Sequence, residues 1–213
     1  PIQLGDTTVS FHSAGHVLGS AQIRVERNGE VWVASGDFKR DDDPTCAPFE
    51  IVPCDVFITE ATFALPVYRW PPASEVAREI FDWWQANQRS GRPSVLFSYA
   101  FGKAQRVLAE LAPLTNQPAY VHGAVQTITE LYRAAGVAML ETIPVDGRER
   151  RDYAGELIIA PPGAAGSRWM RRFIGAQTGF CSGWFRVRGN RRRRGYDRCF
   201  VLSDLADWPS LLA

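Results

Sequence analysis

The sequence predicts an α/β protein, and three observations carry that prediction. Residues 7 to 62 alternate apolar and polar residues in short runs broken by turn signals, which is the pattern of strands. From Ser74 onward, helical apolar spacing alternates with short apolar runs, which predicts a parallel sheet flanked by helices. The 213 residues, 46% hydrophobic and 22% charged, suffice for one large or two small domains with a substantial core.

The elements follow in order. Thr7–Phe11 alternates and predicts a strand. Ala21–Glu26 and Glu30–Val33 alternate on either side of Asn28-Gly29, the pair favoured where a two-residue turn needs both residues at positive φ. Asp41–Pro44 reads as a loop. Asp55–Thr59 is a short buried-type strand that ends at Glu60. Ser74 opens a helix with Val76, Ile80, Trp83 and Trp84 on one face, closed by Gly91. Ser94–Phe97 is a strand. A helix from about Gly102 turns Val107, Leu108 and Leu111 inward. Ala119–Val121 is a strand ending at His122. A third helix carries Val125, Ile128, Leu131 and Ala135 and closes at Gly136. Leu157–Ala160 is a strand stopped by Pro161-Pro162-Gly163. Arg198–Ser203 returns to strand before a helix near Ala206–Pro209. Arg148–Asp152 is a charged loop.

Net charge is +1, so the whole-molecule field singles out no partner. Its distribution does. Only Lys39 and Lys103 are lysines among 24 basic residues, and ten arginines stand between 168 and 198 against one acid, Asp197. Arginine offers a planar fork for phosphate where lysine offers a point charge; a GC-rich genome would also favour it. Cys46, Cys54, Cys181 and Cys199 lack CxxC spacing and read as small buried hydrophobes in a reduced compartment. No apolar run reaches membrane-spanning length and no signal peptide is evident. The expectation is a cytoplasmic protein without a membrane partner. Because residue 1 is proline, the segment reads as cut from a longer protein.

The candidate chemistry begins with His16 and Asp37, each at a strand boundary. Imidazole and carboxylate are ligands that Zn²⁺ or Mn²⁺ accepts, but two ligands do not complete a catalytic site. The bland alternatives are a satisfied strand-end histidine and a turn aspartate. Glu60 is a candidate for proton transfer or ligand orientation, against an exposed strand-end acid; His12 reads as structural. Ser98, Tyr99, Gly102 and Lys103 lie between a strand and a helix, where backbone N–H groups and a lysine favour phosphate; a plain turn is the rival. His122 lies on the same edge of a parallel sheet and is a candidate for contact with a reacting phosphate, against a structural histidine. Arg171 and Arg172 on a short helix, and Arg192 and Arg193 in a turn, are candidates for a strand-guiding groove or a solvated loop. Trp184 and Phe185 read as core.

These residues also resemble a known family. His16 in AGHVLGS, Asp37 in SGDF and Glu60 in TEATF are followed by YRWPP (68–72), FSYAFGKAQR (97–106), HGAV (122–125), APPGAAGSRWMRRF (160–173) and RRRRGYDRCFVLSD (191–204). Together they resemble the metallo-β-lactamase fold of the β-CASP group, and within it the bacterial ligase-associated DNA exonucleases, akin to the Artemis-type repair nucleases. The resemblance implies a partial αβ/βα sandwich with an inserted β-CASP α/β cap. The implied division is 1–66 core, 67–195 cap and 196–213 return to the core. It implies one or two Zn²⁺ or Mn²⁺ ions, with His16 and Asp37 as ligands, and Asp37, Glu60 and His122 serving catalysis. It further implies DNA as substrate, exonuclease action in DNA repair, and a DNA ligase and helicase as partners. RNA is the alternative substrate, since other β-CASP members cut RNA.

Two departures matter. The family's HxHxDH motif is absent, so the chain is expected to represent the later part of such an enzyme. The family's SDHADW reads Ser203-Asp204-Leu205-Ala206-Asp207-Trp208 here, and leucine cannot ligate a metal. Both keep open a non-catalytic nucleic-acid-binding remnant, and the expectation is that this chain alone is inactive. A small-substrate hydrolase of the lactamase or glyoxalase type is a further alternative that the arginine clusters disfavour.

Overall fold

A computed structural model describes residues 1–145, 153–187, 189 and 195–212. It is a mixed α/β chain in two compact units: Pro1–Arg69 with Asp204–Ala213, and Trp70–Ser203. The strand expected to return to the first unit instead joins the sheet of the second, so the second boundary falls after Ser203 rather than after Gly195.

The first unit is built on five strands in sequential order, β1 (Ile2–Leu4), β2 (Thr7–Ser13), β3 (Ala21–Arg27), β4 (Glu30–Ala34) and β5 (Val56–Ile58). The first four pair antiparallel and β5 joins β4 in parallel. The β3–β4 turn places Asn28 at φ 53° and Gly29 at φ 81°, as the Asn-Gly pair requires. One sheet face carries Ile2, Leu4, Phe11, Ile23, Trp32 and Ile58, each at least 42% exposed. The segment 204–212 lies against the loop after β4: the Ala206 N–H donates to the Phe38 carbonyl at 2.7 Å, and Ala206, Phe38 and Ala14 form a small buried cluster. A short helix, Trp208–Leu212, closes this stretch.

The second unit holds a six-stranded parallel sheet in the order β11-β10-β6-β9-β7-β8. Its strands are β6 (Ser94–Phe97), β7 (Ala119–Val121), β8 (Thr142–Pro144), β9 (Leu157–Ala160), β10 (Gln177–Cys181) and β11 (Arg198–Phe200). Alternate residues feed two cores. Leu96, Val121, Leu157, Ile159 and Cys181 pack under α1 (Ala73–Arg89), α2 (Lys103–Leu111) and α3 (Gly123–Ala134). Val95, Phe97, Tyr120, Ile158 and Phe180 face the other way, against Tyr153, Ala164, Phe173 and Phe185. Burial on both faces explains the unbroken apolar runs of the central strands.

Connection handedness explains why α2 and α3 lie on one face. The chain runs outward from β6 to β8 through α2 and α3, then back across β9, β10 and β11. Right-handed crossovers in the reverse direction must cross the opposite face. Among the described residues, the connections there include the short 3₁₀ turns Pro162–Ala164, Arg168–Arg172 and Gly183–Arg186.

Two readings of side chains are corrected. The buried face of α3 is Val125, Thr129 and Tyr132, while Leu131 is 62% exposed. Thr129 is drawn inward because its hydroxyl accepts a hydrogen bond from buried Gln105 at 3.1 Å. Phe185 is buried as expected, but Trp184 is 44% exposed. Of the cysteines only Cys181 is fully buried, and none of the four is in a disulfide.

Candidate metal centre and nucleic-acid interface

Strand direction brings the first unit's candidate residues to one edge. β2, β4 and β5 all run the same way in the sheet, so the segments after their C-terminal ends leave the same side. His16 lies three residues beyond β2, Asp37 three beyond β4 and Glu60 two beyond β5. Gly15 lets the first segment close on the second. Its φ is 66°, and a Cβ there would collide with the backbone of Lys39 and Phe49. The Lys39 N–H donates to the Ala14 carbonyl at 3.1 Å, locking the two loops together. Gly15→Ala is expected to lower stability by about 1–2 kcal/mol from φ alone, plus the collision. A urea melt of the variant, with unchanged midpoint as the contrary result, checks this.

His16 Nε2 lies 3.8 Å from Asp37 Oδ2, and its Nδ1 lies 2.7 Å from the Asp204 carbonyl oxygen. A carbonyl only accepts, so Nδ1 carries a proton, and whenever the ring is neutral the lone pair sits on Nε2, the nitrogen that faces the carboxylate. In that form two electron-pair donors face each other, at a distance too long for a hydrogen bond. Ligands on one tetrahedral Zn²⁺ sit about 3.4 Å apart, within a few tenths of an ångström of this pair. The backbone carbonyl behind a metal-binding imidazole is a recurrent orienting partner. This donor pair fits a divalent cation as part of its coordination. Among the described residues, however, no group of three His, Cys, Asp or Glu side chains is placed to hold one.

Glu60 Oε2 accepts from the Thr62 N–H at 2.7 Å, whereas Oε1 is buried without a hydrogen-bond partner among the described residues. A buried carboxylate oxygen in that state is costly unless something else engages it. His12 is taken up structurally: Nδ1 meets Glu50 at 2.7 Å and Nε2 meets Ser10 at 2.9 Å. Below the His16–Asp37 loops, Lys39 is wholly buried and ion-paired with Asp43, whose other oxygen accepts from the Thr45 N–H and hydroxyl. Sequence reading had passed over this pair as a lysine and a loop acid.

In the second unit the expected phosphate residues divide. Lys103 is corrected: it is 4% exposed, and its ammonium donates to the Leu202 carbonyl at 3.1 Å, so it is not presented to a ligand. Ser98 is fully buried with its hydroxyl unpartnered among the described residues, Gly102 caps α2 at φ 80°, and Tyr99 is 52% exposed. Arg171 is exposed. Arg172 lies over the Trp169 ring, 5.7 Å from its centroid. Arg192 and Arg193 lie outside the described residues.

His122 caps α3. Its Nδ1 accepts the Ala124 N–H at 3.1 Å, and its ring packs edge-on against Trp169. Burial, and then the Arg172 guanidinium, hold the imidazole below its ordinary value of 6.5. The unfolded chain therefore takes up this proton before the folded chain does. Stability should fall as pH drops from about 6.5 through the lower folded value, and protonation would also remove the acceptor that caps the helix. Arg172→Gln should move the His122 pKa part of the way back up, as read by NMR titration of the ring protons; an unmoved midpoint would discount the guanidinium.

The fold is α/β, and the His16–Asp37 pair is a candidate part of a metal centre. No protein-family model matches the chain. It is similar to the probable DNA ligase of Opitutus terrae, 31% identical over 209 residues, covering 97% of this chain and 20% of that protein. It is also similar to the RNase J-like protein of Methanocaldococcus jannaschii, 28% identical over 130 residues, covering 57% of this chain and 31% of that one. Cleavage and polyadenylation specificity factor subunit 3 of Dictyostelium discoideum is 32% identical over 102 residues, covering 47% of this chain and 13% of that protein. The chain belongs to the β-CASP group of the metallo-β-lactamase family, and its likeness to a ligase-named protein fits the ligase-associated branch. It spans a fifth of the length of the first relative and under a third of the second.

Proposed function

We propose that this chain is part of a metal-dependent phosphodiester hydrolase, a DNA exonuclease that works in repair beside a DNA ligase. The observation that carries the reading is the orientation of His16. Its Nδ1–H is held by the Asp204 carbonyl, leaving Nε2 and the Asp37 carboxylate as convergent donors. His16 and Asp37 would hold Zn²⁺ or Mn²⁺. When bound, such an ion lowers the pKa of a water and polarises a phosphodiester oxygen.

The protein's own residues do the rest. The Asp204 carbonyl fixes the His16 tautomer, and the Gly15 contact fixes its loop. Glu60, with one oxygen tied to the Thr62 N–H and the other unpartnered, is suited to accept or orient a proton. His122 keeps only Nε2 for a phosphate, because Nδ1 caps α3. A tetrahedral site needs donors beyond His16 and Asp37, so this chain alone should bind zinc weakly and turn over no substrate.

DNA is favoured because the similarity to the ligase-named protein runs through 97% of the chain. RNA is the second reading, motivated by similarity to proteins named RNase J-like and endoribonuclease Ysh1 over about half of it. The test is metal-dependent release of nucleotides from matched DNA and RNA strands by the full-length gene product, with Asp37→Asn as the control. Preference for RNA would reject the substrate assignment, and cleavage surviving Asp37→Asn would reject the site.

A further inference from the structure

The first unit contains a cavity that the metal pair does not use. Its volume is about 290 Å³, near the lower end of the roughly 300–1,000 Å³ of small-molecule sites. Phe38, Phe49, Val52, Phe57 and Leu211 form its apolar wall, and none of His16, Asp37 and Glu60 lines it. The rings meet tilted or edge-on, with the Phe38 centroid 5.2 Å from Phe49 and 6.4 Å from Phe57. Phe57 is 46% exposed, although Val33, its partner in register on β4, is fully buried. The sheet face that packs well at Val33 therefore opens into a hollow one strand further on.

Most polar side chains of the wall are engaged by the protein itself. The Gln22 amide donates to the Ser13 and Glu50 carbonyls at 3.0 and 2.6 Å. The Thr59 hydroxyl donates to the Glu60 carbonyl at 3.2 Å, and the Ser210 hydroxyl to Asp207 Oδ1 at 2.8 Å. Arg40 differs. Among the described residues it forms no ion pair, and it donates to the Ser210 carbonyl at a long 3.4 Å. A guanidinium carries five N–H donors in a planar fork. A charged and largely unused donor thus stands at the wall of an apolar cavity, where an entering opposite charge would be attracted more strongly than in open water.

These features specify the chemistry of an occupant. The fork matches a carboxylate through two parallel hydrogen bonds. The remainder must be apolar, since the other polar side chains of the wall are already paired. One guanidinium balances one negative charge, and a phosphate dianion would bring a second into the cavity uncompensated.

We infer that this cavity binds an apolar monocarboxylate, with its carboxylate on Arg40 and its hydrocarbon part among Phe38, Phe49 and Phe57. The site needs no metal, nucleic acid or turnover, so it stands or falls apart from the nuclease reading.

Cys54 lines the same cavity, is part-exposed and is in no disulfide, which makes its thiol a local reporter. The experiment is alkylation of the 213-residue chain by iodoacetamide, followed at each cysteine by peptide mass spectrometry. The probes are octanoate, octanol and octylamine, which share a tail and differ in charge. Octanoate should slow alkylation of Cys54 at least fivefold at saturation and leave Cys199, in the second unit, unaffected. Octanol should need a tenfold or higher concentration for the same protection, and octylamine should give none. Arg40→Gln should raise the half-protecting concentration of octanoate to that of octanol, and Arg40→Lys, which keeps the charge but not the fork, should fall between. Circular dichroism melts check that each variant folds, and the three-probe comparison on the unaltered chain needs no variant. Equal protection by octanoate and octanol, no protection of Cys54 by octanoate, or a folded Arg40→Gln that binds octanoate as the parent does, each overturns the site.

Discussion

Asp43→Ala should cost about 3–5 kcal/mol, the loss typical when one partner of a buried ion pair is removed. The Lys39 and Asp43 side chains are 0% and 3% exposed, so neither gains much from solvent while folded. Removing Asp43 strands a buried ammonium and also deprives the Thr45 N–H and hydroxyl of their acceptor. The damage should reach the candidate metal centre, because Lys39 is two residues from Asp37 and its N–H holds the Ala14 carbonyl. Urea denaturation measures the loss. Lys39→Met with Asp43→Leu should recover the part due to the stranded ammonium, since well-packed apolar pairs often replace buried ion pairs at little cost, while the Thr45 donors remain without their acceptor. A single-variant change below about 1 kcal/mol would mean that the pair is hydrated and acts as a surface contact.

His16→Ala should abolish what zinc affinity the chain has, and Leu205→His should raise it tenfold or more. The first removes the only nitrogen donor of the pair. The second adds an imidazole beside Asp204, the residue whose carbonyl orients His16, and a third donor turns a two-point contact into a chelate. Competition with a chromophoric chelator reads both. His16→Gln is the companion variant, because it keeps a polar side chain in the loop while losing the imidazole. Zinc affinity equal in His16→Ala and the parent chain would remove the metal centre. Unchanged affinity in Leu205→His would show that position 205 is not within reach of it.

What the sequence by itself determined was local. The Asn28-Gly29 turn, the alternating strands around it, the three helices and four of the parallel strands are written in residue spacing, because period and turn chemistry act over a few neighbours. His16, Asp37 and Glu60 were legible as strand-end residues, and the family resemblance gave them candidate roles. Tertiary structure decided the rest. β10, a strand neighbouring β6 near the middle of its sheet, was missed because Gln177-Thr178-Gly179 offers no apolar run; its place is fixed by β6 and β11 on either side. The inward face of α3 turned on a bond from Gln105 to Thr129, 24 residues apart in sequence. Lys103 was expected at a phosphate, but a carbonyl 99 residues away claimed it. The His16 tautomer depends on a carbonyl 188 residues distant. Spacing reports which backbone shape a segment prefers, whereas burial and the partner of each polar atom depend on segments far along the chain that only folding brings together.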